Sequence, residues 1–563
     1  MQDLKSIAPE LDKDVRAAAA TVHASDDVLI VSHIDADGIS SAAIAYTACI
    51  RSKIGRFMDN LRSSADGSIP ESDLVRKLED AVDTEDMVDE HRIARLSSVI
   101  ESAGRLLENG CEDLESVTEC LVRASGIVKD FARKEAEKKI RVLFAKKMDP
   151  ETIRKIQEDT SSLIWICDLG SGYKGQFCKD KLLITDHHVP DNNGHPRAQN
   201  ATQTKLWFTF DILEVNPINY GLEGSTEGCG ATVTYLVAKA MDDRNIDLAQ
   251  LGVIGACGDM QDQPIKGLTG INAIALSDAV SNGDVLIEED LKFFGRETRT
   301  LINFLKYSNN PAIPDISDNG VGCSRLFRGL DIPIKDGNGF RTWNDLDGNE
   351  KSRVIRFVLD RLNGEDQNRA YGDAYTLPRY PRHTEYRDAK EFATMLNSCG
   401  RYDDPETGME ICVARQNASE ELLDKAKKHR SQHTENINRC TQLILEKQMV
   451  KRCGGILYFH AHDSIEETVV GIVVGSILSR DPNRYEMPMM GFVDTDEGVK
   501  VSARADRSLV NRGLNLSVVM NISAEHVGGY GGGHNIAAGA TIPKGMEKRF
   551  LDVANDIILT QVD

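Results

Sequence analysis

Val31-Ser32-His33-Ile34-Asp35-Ala36-Asp37-Gly38 closes the apolar run Val28-Leu29-Ile30-Val31 and opens the small-residue run Ile39-Ser40-Ser41-Ala42-Ala43-Ile44-Ala45. The first run reads as a strand and the last as the start of a helix, so a histidine and two aspartates stand at a strand-to-helix turn. Open α/β sheets present ligands at that edge. One such turn reads equally well as a helix cap or a solvated loop. Its weight comes from the other turns that resemble it.

Leu163-Ile164-Trp165-Ile166-Cys167 stops at Asp168-Leu169-Gly170, and Lys181-Leu182-Leu183-Ile184-Thr185 stops at Asp186-His187-His188. Leu251-Gly252-Val253-Ile254-Gly255-Ala256-Cys257-Gly258 reads as a further strand that ends at Asp259. Four apolar strands then bring His33, Asp35, Asp37, Asp168, Asp186, His187, His188 and Asp259 to one edge of a mostly parallel sheet. Carboxylate oxygens suit magnesium or manganese, and imidazoles shift the balance toward manganese or another first-row transition ion. Two ions that share a carboxylate can activate water and stabilise the oxygens of an in-line phosphoryl displacement. A buried carboxylate cluster without cations repels itself, so a purely structural reading is costly. Nearby, Asn216 to Tyr220 reads as a turn. Ser225 or Thr226 either caps the helix Ala231 to Ala240 or holds a phosphate at its N-terminus.

At 563 residues the chain exceeds the usual size of one core, and its formal net charge is -21. That charge argues against a nonspecific nucleic-acid coating protein but leaves room for a nuclease with a confined site. Met1-Gln2-Asp3-Leu4-Lys5 lacks the basic and apolar regions of a secretory signal, and no run reaches transmembrane length. The twelve cysteines form no CxxC pair, which argues against a structural zinc site or a disulfide framework. A cytoplasmic protein with no membrane partner is the expectation.

The fold class expected is α/β: a mostly parallel-sheet catalytic domain with a helical insertion, and a smaller mixed α/β domain across a cleft. The catalytic domain is placed at 1–285, with the insertion at about 52–160. Within it, Ile93, Leu96 and Ile100 share a helical face, and Phe131 to Ile156 is a second amphipathic stretch. Lys138, Lys139, Arg141, Lys146 and Lys147 there form a solvated helical face or a docking surface. Residues 286–451 are a middle region and helical connector. In it, Tyr375-Thr376-Leu377-Pro378-Arg379-Tyr380-Pro381-Arg382-His383 either contacts nucleic acid or packs a proline-rich turn against a helix. Asp388 to Arg401 reads as a helix with no assigned chemistry.

Residues 452–563 form the substrate-binding domain. Ser502-Ala503-Arg504 puts a guanidinium at a strand end, where it clamps a phosphate or joins a surface ion pair. Gly531, Gly532 and Gly533 form a turn whose amides can approach an anion, with His534 beside it; a tight structural turn explains the same glycines. Together, Arg504 and this turn favour substrate binding.

The motifs His33-Ile34-Asp35-Ala36-Asp37-Gly38, Asp168, Asp186-His187-His188 and Asp259 resemble the successive motifs of the DHH phosphoesterase superfamily. Gly531-Gly532-Gly533-His534-Asn535-Ile536-Ala537-Ala538-Gly539 resembles the glycine-histidine motif of the DHHA1-type domain associated with it. Over most of its length the chain is similar to archaeal RecJ-like exonucleases. The resemblance implies two divalent ions, with Mn2+ preferred and Mg2+ as the other candidate. Asp35 and His33 would hold one ion, Asp37, His187 and Asp259 the other, and Asp168 would bridge them. Asp186 would orient the neighbouring imidazole or ligate a metal, and His188 would face the scissile phosphate. The implied activity is exonucleolytic hydrolysis of single-stranded DNA or RNA in replication or repair. A phosphodiesterase of short oligonucleotides or cyclic dinucleotides and a replisome scaffold that binds a GINS-like partner are the alternatives.

Overall fold

The computed structural model describes residues 4–64, 93, 100, 114–178, 180–191, 212–262, 267–308, 310–481 and 484–562, without the side chains of 59–64 and 114–124. Five strands form the first sheet: β1 (Val28–His33), β2 (Ile140–Ala145), β3 (Leu163–Cys167), β4 (Leu182–Thr185) and β5 (Ile212–Val215). They lie in the order β2-β1-β3-β4-β5, and every pair is parallel. Side chains alternate between two buried faces. Val28, Ile30, Trp165, Cys167 and Leu183 join one core, while Leu29, Val31, Ile164, Ile166 and Ile184 join the other. Cover on both faces explains why these strands read as unbroken apolar runs.

The sequence misleads at two elements. The run leading to Asp259 is a helix, Ala249–Gly258, not a strand, so three strands and one helix deliver the acidic turns. All residues from Ala249 to Cys257 are buried, because the helix packs among the helices Ala36–Ser64, Gly230–Met241, Gly270–Ser281 and Ala389–Arg401. A helix that is apolar on all sides has no periodicity to separate it from a buried strand. Conversely, β2 lies inside the stretch read as helical. It is an edge strand flanked by lysines, with only Ile140 and Ala145 fully buried, so charge masks its apolar residues. The face read from Ile93, Leu96 and Ile100 falls, at Leu96, outside the described residues. Four of the five basic residues singled out around β2 are paired: Lys138 with Glu135, Arg141 with Asp159, Lys146 with Asp403 and Lys147 with Glu497.

Beyond the first sheet, β6 (Leu286–Leu291) pairs antiparallel with β9 (Tyr371–Thr376). Between them, a separate core is built on Phe304, Phe327 and Trp343, with a two-residue hairpin of β7 (Lys335–Asp336) and β8 (Gly339–Phe340) at its margin. The chain then returns to the first core. Tyr375, Tyr380 and Phe392 are buried there, and the Tyr380 ring stands edge-on to Phe392. Arg379 pairs with Asp284, and Arg382 and His383 with Asp345. The Tyr375 to His383 stretch therefore packs a turn against a helix and does not form a stacking platform for bases.

The long helix Glu420–Glu446 leads to a six-stranded sheet. Its strands are β10 (Lys451–Cys453), β11 (Ile456–His460), β12 (Met489–Thr495), β13 (Gly498–Arg504), β14 (Tyr530–Gly533) and β15 (Ala537–Ile542). The order is β10-β11-β12-β13-β15-β14, mixed, with β11 and β12 parallel. The helix Val470–Leu478 covers one face, and the helices Leu516–His526 and Glu547–Val562 cover the other. Among the described residues no helix is long and apolar enough to cross a membrane.

Candidate metal centre

The turn after β1 is built by its own polar side chains. Ser32 Oγ donates to the Gly38 carbonyl at 2.7 Å, and Asp35 Oδ1 accepts from the Gly38 amide at 2.9 Å, capping the helix Ala36–Ser64. The other oxygen, Asp35 Oδ2, stands 2.8 Å from His33 Nδ1. Asp37 points the opposite way, to the N-terminus of the helix Gly230–Met241. Its oxygens accept from the Gly230 amide at 2.6 Å and the Ala231 amide at 2.8 Å. Cys229 occupies the N-cap of that helix, with Thr232 closing the capping box, so neither Ser225 nor Thr226 caps it. Ser225 instead donates to Glu223. A methyl group at Gly255 would lie 2.5 Å from Asp37 Oδ1, so this glycine leaves the space that the carboxylate fills.

Asp168 follows β3 in the left-handed region, at φ 59°, with its amide donating to the Thr185 carbonyl. It is 1% exposed, and neither carboxylate oxygen has a hydrogen-bond partner. Oδ1 stands 3.3 Å from His187 Nε2, and Oδ2 stands 3.7 Å from His33 Nδ1. At His187, Nδ1 lies 2.7 Å from the Gly224 carbonyl, which fixes the tautomer with the proton on Nδ1. Nε2 then faces three carboxylates: Asp259 at 3.2 Å, Asp168 at 3.3 Å and Asp37 at 3.6 Å. His33 Nδ1 and His187 Nε2 lie within ion-pair distance of these oxygens but without hydrogen-bond geometry. Asp186 differs from the rest. Its oxygens accept from the amides of Ser171, His187 and His188 and from His188 Nδ1, so it is occupied in setting the His188 ring.

Two donor sets result, His33 with Asp35 and Asp168, and Asp37 with His187 and Asp259. Two more overlap them, Asp168 with Asp186, His187 and His188, and His187 with His188 and His534; in each the ligand atoms lie within 4.8 Å of one another. Asp168 touches both of the first two. Burial, reinforced by Asp259, pushes the Asp37 carboxyl up to about 6. Burial, reinforced by Asp37 and Asp35, pushes Asp168 well above the ordinary carboxylate range. Burial opposes the charge on His187, yet Asp168 and Asp259 override it and raise the imidazole well above its ordinary value. These directions describe a cluster short of positive charge. Unpartnered buried oxygens beside an imidazole lone pair fit divalent cations.

The C-terminal domain closes one side. His534, just past β14, places its ring 5.6 Å from His187 and 5.1 Å from His188. Gly531, Gly532 and Gly533 lie in β14, paired antiparallel with β15, so the stretch read as a turn is an extended strand; Gly533 ends it in the left-handed region, at φ 133°. Burial and the neighbouring His188 lower His534 to about 4. Arg504 ends β13, and burial with the nearby Arg401 holds its guanidinium down at about 10. Among the described residues neither Arg401 nor Arg504 has a carboxylate within ion-pair distance. The C-terminal domain is also anchored by Arg369, whose two guanidinium nitrogens donate to Asp506 at 2.9 and 3.2 Å.

Sequence reasoning missed several neighbours of this site. Asn397 Oδ1 accepts from the Ala36 amide at 2.9 Å, and Arg401 lies near enough to Asp35 to feel its charge. Their i, i+4 spacing on the helix Ala389–Arg401 puts both on one face, a signal present in the sequence. Gln261 donates to the carbonyls of Gly224 and Gly228 at 3.0 and 3.1 Å and so fixes the loop behind His187. Only Met260 separates it from Asp259, but no motif marks it.

Residues 293–369 match the DHH-CID domain and residues 454–560 the DHHA1 domain. An uncharacterized protein of Methanocaldococcus jannaschii is 28% identical over 415 residues, 73% of this chain and 84% of the relative. CDC45 from Entamoeba histolytica is similar with a TM-score of 0.54 at 9% identity over 98% of each chain, a likeness of fold. RecJ of Thermus thermophilus in complex with Mn2+ gives a TM-score of 0.48 at 14% identity over 97% of this chain. The chain spans 55% of the length of that RecJ.

Proposed function

We propose that the chain is a metal-dependent exonuclease that hydrolyses terminal phosphodiester bonds of single-stranded nucleic acid, DNA foremost and RNA second, with Mn2+ preferred over Mg2+. The observation that carries this reading is Asp168: buried, unpartnered at both oxygens and in reach of both donor sets. His33, Asp35 and Asp168 would hold one cation, and Asp37, His187, Asp259 and Asp168 the other. Cations held there supply charge for the phosphoryl oxygens and lower the pKa of water.

The chain's own residues do the rest. The Gly224 carbonyl fixes His187 with Nε2 toward the carboxylates. Asp186 acts as a positioning residue that holds His188 by Nδ1, leaving the far side of that ring for substrate. Arg504 and Arg401, without carboxylate partners, receive the phosphate oxygens that do not react. His534 excludes water from one side and hydrogen-bonds substrate as a neutral imidazole, consistent with its lowered pKa. The charge of the whole chain directs a polyanion to this confined basic pair and away from the remaining surface.

The test uses purified full-length protein with Mn2+ and single-stranded DNA and RNA ladders labelled at either end. Progressive shortening from one end, lost in Asp37→Ala and in His187→Ala, is expected. Cleavage confined to the shortest oligomers would replace the exonuclease with a short-oligonucleotide phosphodiesterase. Undiminished turnover in both variants would reject the site, and no cleavage of any ladder by folded, metal-loaded protein would reject the enzyme.

A further inference from the structure

A second group of metal-ligating side chains lies in the C-terminal sheet. His460 ends β11, and His462 follows it by two residues. Asp494 belongs to the neighbouring parallel strand β12, two residues beyond Phe492, the register partner of His460. The backbone ladder continues past the end of β11: the Ala461 amide donates to Phe492, and the Asp494 amide donates to the His462 carbonyl, both at 2.9 Å. His462 itself is left-handed, with φ 51°, a conformation that a residue with a Cβ adopts only at some cost. The turn folds its imidazole over that of His460, with ring centroids 4.0 Å apart and planes inclined 28°.

We propose that His460, His462 and Asp494 form a further metal site, for a borderline divalent ion such as zinc or cobalt, separate from the carboxylate-rich centre. His460 Nε2 stands 3.1 Å from Asp494 Oδ1, and His462 Nδ1 stands 3.2 Å from Asp494 Oδ2. Zinc bonds of about 2.0 to 2.2 Å put the donors of a tetrahedral ion about 3.3 to 3.5 Å apart, so each imidazole nitrogen already stands near that separation from the carboxylate. All three ligand atoms lie within 4.8 Å of one another. Two imidazoles and one carboxylate select zinc, cobalt or nickel over magnesium. Among the described residues Asp494 has no lysine or arginine partner, so its only bonded cations are these imidazoles when protonated. The outer side of the group faces solvent, His462 being 64% exposed, and leaves room for a water ligand.

This group is remote from Arg504. On the β12 and β13 pair, Met489 faces Arg504 and Asp494 faces Val499, five residues along. At about 3.4 Å per residue the separation is about 17 Å. A bound ion would pin the point where β11 leaves the sheet, next to the β12 to β13 hairpin that carries Glu497, the partner of Lys147. Its role is to fix the edge at which the two domains meet.

The same distances describe a carboxylate hydrogen-bonded to two histidines, and metal titration separates the two. The protein is full length and without an affinity tag, in an Asp37→Asn/Asp168→Asn background that disables the first centre. Zinc is titrated calorimetrically and cobalt by its visible absorption. One equivalent of each is expected to disappear when His460→Gln/His462→Gln is added, and zinc is expected to raise the melting temperature only where both histidines are present. Asp494→Asn, which keeps the shape of the side chain, is expected to weaken zinc binding at least tenfold and serves if the histidine pair impairs folding. An unchanged number of equivalents and an unchanged zinc-induced shift across these variants would overturn the site and leave a surface hydrogen-bonded pair only.

Discussion

The His534 ring stands 5.1 Å from the His188 ring, and the two planes are inclined by 30°. His188 follows the end of β4 and His534 the end of β14, so the contact joins two sheets with separate cores. On the proposed reading, a substrate strand that contacts His188 also lies beside His534. Replacing His534 with alanine is expected to raise KM for single-stranded DNA by about tenfold to a hundredfold, the range for one hydrogen bond to a charged group. Mn2+ stoichiometry, read by calorimetry, should stay the same. Loss of metal along with affinity would show that His534 acts by supporting the centre.

His534 also carries a pH signature. Its folded pKa of about 4 is below the ordinary histidine value, because burial and His188 disfavour the charged ring. Between about 4 and 6.5 the unfolded chain binds the extra proton, so the stability owed to this residue is present above 6.5 and lost as pH falls through the window. The stability difference between wild type and His534→Phe is therefore expected to shrink from pH 7 to pH 4 in urea unfolding. A difference that is constant with pH contradicts the buried neutral ring.

Asp37 has the opposite sign. Its carboxyl is raised to about 6, first by burial and then by Asp259. Below about 4 both states are protonated; as pH rises to 6 the unfolded state ionises first, and the metal-free fold loses at most about 3 kcal/mol. Asp37→Asn should flatten this decline, and Mn2+ should reverse it in wild type only. Thermal melts of metal-free protein at pH 4, 5, 6 and 7 read both effects. A metal-free wild type that gains stability across that range relative to Asp37→Asn would count against a charge-deficient cluster.

The parts of this arrangement differ in how far they could be read in advance. Strands β1, β3 and β4 are legible because each is a short apolar run that stops at an acidic turn. The residues at those turns do meet in space. Asp259 meets them too, although it arrives on the helix Ala249–Gly258, since only its final position matters to the cluster. Asp186 shows the limit of motif reading. Adjacent to His187 in sequence, it spends its oxygens on three amides and His188, which follows from local backbone geometry that letters do not encode. The approach of Arg401 to the site depends on a helix more than 200 residues beyond β4 packing against the turn after β1 and the helix Ala36–Ser64, and no local pattern specifies that return.

Two glycines set how closely helices approach the carboxylates. A methyl group at Gly230 would lie 2.5 Å from Asp168 Cβ, and one at Gly255 would lie 2.5 Å from Asp37 Oδ1 and 2.6 Å from Ala231 Cβ. Neither neighbour is a flexible side-chain end, so Gly230→Ala and Gly255→Ala should each destabilise the protein by about 1 to 3 kcal/mol. They should also weaken Mn2+ binding, because the carboxylate is the atom group displaced. Unfolding in urea with and without Mn2+ measures both quantities. A variant that loses stability but keeps full metal affinity would show that the backbone yields in place of the carboxylate.

Arg401 and Arg504 make a prediction that separates electrostatic contact from packing. Each is partly buried, neither has a carboxylate within ion-pair distance among the described residues, and their charges oppose one another. Two guanidinia that feel one another's charge and lack an ion-pair partner are stabilised by an anion, and on the proposed reading phosphates of a single strand supply it. Each contact made to single-stranded DNA contributes about 0.7 to the slope of log affinity against log salt. Arg401→Gln and Arg504→Gln should therefore each reduce that slope by about 0.7 in binding measured with Ca2+ in place of Mn2+, and the pair by about 1.4. A lysine at either position keeps the charge but loses the bidentate fork, so the slope should persist while affinity falls. Equal slopes in wild type and both glutamine variants would mean that the strand passes elsewhere, and would move substrate binding away from this face of the C-terminal domain.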